Sequence, residues 1–71
     1  MLITDSVSFG KALRTRRKEL GYTQGYLAQF TGFSVSFISD LENGKPTAEL
    51  GKALQIANIL ALDCSLCARG E

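Results

Sequence analysis

Apolar positions in this chain recur at helical spacing, and short polar breaks divide them into four runs. Phe9, Ala12, Leu13 and Leu20 fall on one face with Lys and Arg between them, which predicts a first helix. Ser6 or Ser8 is placed to cap its start, and Gly21 stands where a left-handed residue most easily ends it. Thr23 is placed to cap a second, shorter helix with Leu27 and Ala28 facing inward; Ala28 is small enough for a crossing helix to approach closely. Gly32 supplies a turn, and Ser34 caps a third helix in which Ile38 and Leu41 point to the core. Phe33 precedes that cap and is set to pack across it. Gly44 and Pro46 close the third helix. Thr47 opens a fourth, "AELGKALQIANILAL", with Leu50, Ala53, Leu54, Ala57, Leu60 and Ala61 on its apolar stripe and Glu49 in its first turn.

The helical period fails in "DCSLCARGE". Cys64, Leu66 and Ala68 alternate there with Ser65, Cys67 and Arg69, a strand pattern. A lone strand beside helices has no partner in its own chain, so the same strand of a second subunit is the simplest one. A frayed terminus is the alternative. The expected organisation is one all-α domain of four to five helices over residues 1–71, with a helical core at 7–62 and a short strand or tail at 63–71.

Composition narrows the function classes. A chain of 71 residues, 45% hydrophobic and 21% charged, suits a single globular domain near the lower size limit for a core. No apolar run approaches the ~20 residues of a membrane span. The N-terminus lacks the basic and apolar regions of a signal peptide, which points to the cytoplasm. Net charge is only +1, but its placement is uneven: residues 1–45 carry an excess of +2 and residues 46–71 an excess of −1. The dense cluster is "KALRTRRK", which by charge alone reads as a solvated helix face. Cys64 and Cys67 form a C-x-x-C in a chain without histidine. Zinc needs four ligands, so only a dimer pooling two such pairs would complete a site. The simpler reading is two small packing residues in a reducing compartment, with no metal and no cofactor. Without histidine, paired carboxylates on one face or a Gly-rich phosphate loop, there is nothing from which to assemble a catalytic site, so no enzyme is expected.

Two short helices joined by a turn containing Gly form a helix-turn-helix, whose second helix enters a DNA major groove while the first crosses the backbone. Gln24, Ala28, Gly32, Ser34, Ile38, Glu42 and Gly44 stand at the spacing Q-x3-A-x3-G-x-S-x3-I-x3-E-x-G. This resembles the helix-turn-helix of the lambda repressor and Cro family (the XRE type) over roughly residues 9–62. Within it, "RRKELGYTQ", "FISDLENGKPTAEL" and the short tail look most like HipB-type antitoxins, dimeric repressors that also bind a HipA-type kinase toxin.

The resemblance implies roles position by position. Thr23 and nearby amides would sit on phosphate, and Gln24 would contact phosphate or buttress the reading helix. Ser34, Val35, Ser36 and Ser39 match positions facing base edges. Asn43 and Lys45 match positions that grip the backbone beyond the reading helix. Asp40 either accepts from cytosine N4 or points to solvent. Arg17 and Glu42 match a structural ion pair between the first and third helices. Phe37 stays open between the core, a thymine methyl and the partner subunit.

A reading face of Ser, Val, Ser and Ser lacks the bidentate pairings with guanine and adenine, so specificity would lean on half-site spacing, DNA shape and phosphate contacts. A single head binds weakly at cellular salt, whereas two heads about 34–36 Å apart meet successive major grooves. A homodimer on an inverted-repeat operator in double-stranded DNA is therefore expected. A stand-alone regulator without a toxin, and a helical interaction module that has lost DNA binding, are the competing readings.

Overall fold

The computed structural model describes residues 2–70. Met1 and Glu71, the two ends of the expected domain, lie outside the described residues. Four helices follow one another: α1 Ser6–Glu19, α2 Gln24–Thr31, α3 Val35–Glu42 and α4 Leu50–Ile59.

Local chemistry sets most of the boundaries. Asp5 caps α1 in place of Ser6 or Ser8, because its carboxylate accepts from the Ser8 amide at 2.7 Å. Ser8 is the reciprocal partner, its Oγ accepting from the Asp5 amide at 3.1 Å, which satisfies two amides that have no partner within the helix. Ser6 is spent elsewhere: its hydroxyl donates to the Gly44 carbonyl at 2.8 Å and ties the start of α1 to the end of α3. Thr23 and Ser34 cap α2 and α3 by accepting from the Tyr26 and Phe37 amides. Helices α1 and α3 end alike. The amides of Gly21 and Tyr22 return to the carbonyls of Lys18 and Arg17, and those of Gly44 and Lys45 to Leu41 and Asp40.

The fourth helix is shorter than the apolar run predicts. It starts at Leu50 behind Glu49, not at Thr47, because residues 46–48 form a turn in which the Ala48 amide reaches the Lys45 carbonyl. It stops at Ile59, where the amides of Ala61 and Leu62 bond back to Asn58 and Ala57. Ala61 takes the left-handed conformation there, φ +59°, the one non-glycine residue with positive φ among those described. The inward face also differs. Ala53, Ile56, Ala57 and Leu60 are buried, whereas Leu50 is 69% and Leu54 40% exposed, and Ala61 faces solvent.

The core consists of those four residues with Leu13, Leu27, Ala28, Ile38 and Leu41. Leu13, Leu27, Ile38, Ile56 and Leu60 are fully buried, each contributing about 1.5–3 kcal/mol by leaving water. Phe9, Leu20, Tyr22, Phe33, Phe37, Ala48 and Leu62 pack around them as a half-buried shell. Helix α3 is the hub, packed on both α1 and α2. Its approach to α1 is close enough that a Cβ on Gly10 would meet the Leu41 carbonyl oxygen and lie 2.7 Å from that of Glu42.

Beyond Leu62 the described chain forms no strand, and residues 63–70 are exposed. A strand that pairs only across a two-fold axis has no partner in a single copy. Cys64 and Cys67 are free thiols in this segment.

Candidate nucleic-acid interface

Helices α2 and α3, joined by Gly32, Phe33 and Ser34, present the first turn of α3 to solvent. Gly32 takes φ +81°, the left-handed conformation that the turn between the helices requires. Ser34, Val35 and Ser36 follow as consecutive exposed residues. Ile38 and Leu41, on the other face of α3, are buried and fix its rotation about its own axis. Ser39 is half-buried one turn further on. Its Oγ lies 3.4 Å from Asn43 Nδ2, so these two predicted residues touch each other at the C-terminal end of α3. Lys45 Nζ stands 3.5 Å from Asp40 Oδ2, both half-exposed, so the lysine beyond α3 already has a weak counter-charge.

The orientation of α3 is held by a buried ion pair. Arg17 Nε donates to Glu42 Oε2 at 2.6 Å and Nη2 to Oε1 at 3.0 Å, the two-pronged geometry that suits a guanidinium and a carboxylate. Arg17 Nη1 also donates to the Tyr22 carbonyl at 2.8 Å, and Gln24 Nε2 to Glu42 Oε1 at 3.1 Å. One carboxylate at the end of α3 thus ties together α1, the α1–α2 turn and the first residue of α2. Burial pushes the Glu42 carboxyl up. The hydrogen bonds from Arg17 and Gln24, with the nearby guanidinium charge, outweigh burial and leave it below the ordinary carboxylate range. The Glu42 hydrogen bond raises the Arg17 guanidinium in turn. No buried side-chain polar atom among the described residues lacks a partner.

Gln24 is therefore engaged with the α3 carboxylate through one amide hydrogen, leaving its second free. Thr23 is exposed, its hydroxyl accepting at the α2 cap. Phe37 is half-buried and meets Phe33 edge-to-face, centroids 5.4 Å apart, which assigns it to the packing of the α3 N-terminus. The residue pattern did not single out an aromatic ladder on the outside of α2. Tyr22, Tyr26 and Phe30 follow at i, i+4, i+8 with centroids 5.0 and 6.2 Å apart, and Phe30 is 64% exposed. That spacing was the available signal. Nor did it single out Lys52, whose Nζ lies over both Phe33 and Phe37.

A family model described as helix-turn-helix matches residues 13–66, most of the chain and all of the geometry above. The chain belongs to the lambda repressor and Cro type of helix-turn-helix proteins. It is 41% identical to an uncharacterised HTH-type transcriptional regulator, y4mF, of Sinorhizobium fredii over 97% of this chain and 91% of that one. Among solved structures it is similar to HipB in the HipB–O4 20mer complex, with a TM-score of 0.86, 28% identity and 97% of each chain covered. The HipA–HipB–O2–O3 complex matches with the same score, identity and coverage. As a helix-turn-helix regulator of this family, the chain falls in a class defined by DNA binding rather than catalysis. Among the described residues no helix is long and apolar enough to cross a membrane.

Proposed function

We propose that this regulator is a repressor that binds an inverted-repeat operator in double-stranded DNA as a homodimer, and that it is the autoregulating antitoxin of a HipA-type kinase toxin. The observation that carries the DNA half is the exposed edge Ser34–Val35–Ser36 on a helix whose rotation is set by Ile38, Leu41 and the Arg17–Glu42 pair. A rigidly held first turn of two serines flanking a valine fits the major groove and brings hydroxyls to base edges. Val35 would meet a thymine methyl, and Ser34, Ser36 and Ser39 would accept from or donate to neighbouring bases. Thr23, the free amide hydrogen of Gln24, Asn43 and Lys45 would take the flanking phosphates, which set register without reading sequence. Two such heads in one dimer would read the two halves of the operator, in the cytoplasm where the DNA lies.

The toxin half is supported by the likeness to HipB over 97% of both chains, one of the HipB structures also holding HipA. The second reading is a stand-alone regulator, and the likeness to an uncharacterised transcriptional regulator of Sinorhizobium fredii fits both readings. Selection of bound duplexes from a random pool, at low and at physiological salt, tests the DNA half. Enrichment of one inverted repeat with half-sites about one helical turn apart is expected. Failure to enrich any sequence, with binding lost at physiological salt, would leave a protein-interaction module. Co-expression with a kinase-like protein encoded beside this one tests the toxin half: a stable complex that relieves growth arrest is expected. Its absence leaves the stand-alone regulator.

A further inference from the structure

The two helices of the reading head hold no cation in the first turn of α3, where Ser34, Val35 and Ser36 face solvent. A cation is nevertheless fixed beside that turn by a residue of α4. Lys52 Nζ lies 5.7 Å from the centroid of Phe33 and 5.8 Å from that of Phe37. Phe33 immediately precedes the Ser34 cap, and Phe37 carries the amide that the cap binds. The ammonium therefore flanks the entry of the reading helix. Its side chain remains 49% exposed, so the aromatic rings position it without removing it from solvent. Its other partner is Glu49, at 2.8 Å and 67% exposed. An ion pair this exposed is weak and readily exchanged. Glu49 stands at the cap position of α4 yet makes no capping hydrogen bond. At the opposite end of α3, Lys45 is paired in the same loose manner with Asp40. The reading helix is thus bracketed by two lysines, each neutralised by an exposed carboxylate.

We propose that Lys52 is a phosphate-contacting residue of the DNA interface, contributed from outside the helix-turn-helix, and that Glu49 holds the ammonium until a backbone phosphate replaces it. This rests on the DNA-binding reading above. A compact ammonium suits a phosphate as a point charge and carries no base preference, so Lys52 adds affinity and register, not sequence choice. It also supplies attraction that a Ser-rich reading edge lacks. Glu49 opposes binding twice, by competing for the ammonium and by repelling the phosphate.

The test is equilibrium binding to a mixed-sequence duplex of about three helical turns, followed across a salt series. K52M keeps the aliphatic stem over Phe33 and Phe37 and removes the charge. The slope of log K against log salt should become shallower by about 0.9 for each protomer on the duplex. K52R should restore it. E49Q leaves the rings and the lysine in place and should raise affinity several-fold, so it carries the test if K52M melts. A K52M slope equal to that of the unmodified protein, or an E49Q affinity no higher, overturns the assignment. An unmodified protein that binds no duplex even at low salt overturns the DNA-binding reading itself, a distinguishable result.

Discussion

Arg17 on α1 and Glu42 on α3 are joined by two hydrogen bonds, of 2.6 and 3.0 Å, with 8% and 3% of their side chains exposed. Two charges this far from water are stabilising only while both are present, since either alone is a buried charge without a partner. R17M or E42Q should therefore each destabilise the domain by about 3–5 kcal/mol, read as a lowered urea midpoint. The double variant R17M/E42L replaces the pair with apolar volume and should recover most of that loss. A double variant as unstable as either single one would show that the ion pair itself, and not the avoidance of a lone charge, holds α1 to α3.

The same pair sets the response to acid. Glu42 titrates below its unfolded range, because hydrogen bonds from Arg17 and Gln24 outweigh the opposing effect of burial. A depressed carboxyl stabilises the fold above its unfolded value of about 4.3, and that contribution is lost as pH falls through the lower folded value. Asp5, lowered by its hydrogen bonds with Ser8, acts in the same direction at the exposed start of α1. Thermal melts should thus be flat from neutral pH down to about 5 and fall steeply below about 4. In R17M the acid fall should be much reduced.

Gly10 and Gly51 make opposite predictions for one substitution. A Cβ at Gly10 would lie 2.7 Å from the Glu42 carbonyl oxygen, in backbone that cannot swing aside, whereas a Cβ at Gly51 meets nothing within 4 Å. G10A should cost about 1–3 kcal/mol or more by forcing α1 from α3. G51A should stabilise by about 0.4–1 kcal/mol through the unfolded chain alone. Matched denaturation curves check both, and a tolerated G10A would mean that the two helices slide apart freely.

Where the residues revealed the structure and where they did not follows one physical division. Thr23, Gly32 and Ser34 were legible because caps and left-handed turns are decided within four or five residues. So was the exposed first turn of α3, since it lies opposite Ile38 and Leu41, which are plainly apolar. The start of α1 was not, because "TDSVS" offers several capping side chains and only the fold shows which one is spent on Gly44. Helix α4 misled for another reason. Its Leu, Ile and Ala occupy more than one face, so periodicity alone does not choose, and tertiary packing took Ile56 and left Leu50 and Leu54 in solvent. Lys52 was illegible because its significance lies in proximity to Phe33 and Phe37, fifteen or more residues away.

Ala61 holds a conformation that suits glycine. Its φ of +59° ends α4 with the hydrogen-bond pattern that Gly21 and Gly44 provide for α1 and α3. A left-handed residue with a Cβ costs about 1–2 kcal/mol, part of which glycine returns as extra entropy of the unfolded chain. A61G should therefore raise stability by about 0.5–1 kcal/mol, seen as a higher midpoint with unchanged DNA binding. A lowered midpoint would mean that the alanine methyl makes a contact worth more than the strain.

Ser34 and Ser36 separate folding from reading. Ser34 Oγ accepts from the Phe37 amide at 3.0 Å, so S34A should cost about 1 kcal/mol of stability besides removing a hydroxyl from the base-facing edge. Ser36 is exposed within the same turn, so S36A should leave the melt within about 0.5 kcal/mol and change the ranking of operator variants. Competition binding against a panel of single-base variants, beside the melts, distinguishes the two, and an unchanged ranking would remove Ser36 from the reading set.

The tail provides the test of assembly. Leu66 is fully exposed and Leu50 largely so, an arrangement in which a single copy leaves large apolar side chains in water that a second copy would cover. Alternation of Cys64, Leu66 and Ala68 suits a strand that pairs with its own copy across a two-fold axis. Removing residues 63–71 deletes that segment and leaves the four helices and their core untouched. Sedimentation should then show weaker self-association while the melt of a dilute sample stays near that of the full chain. Affinity for an inverted repeat should fall further than affinity for a single half-site, because two linked heads add their binding energies and separate ones do not. An undiminished dimer after truncation would move the two-fold contact to the outer face of α4, where Leu50, Leu54 and Ile59 are exposed apolar residues.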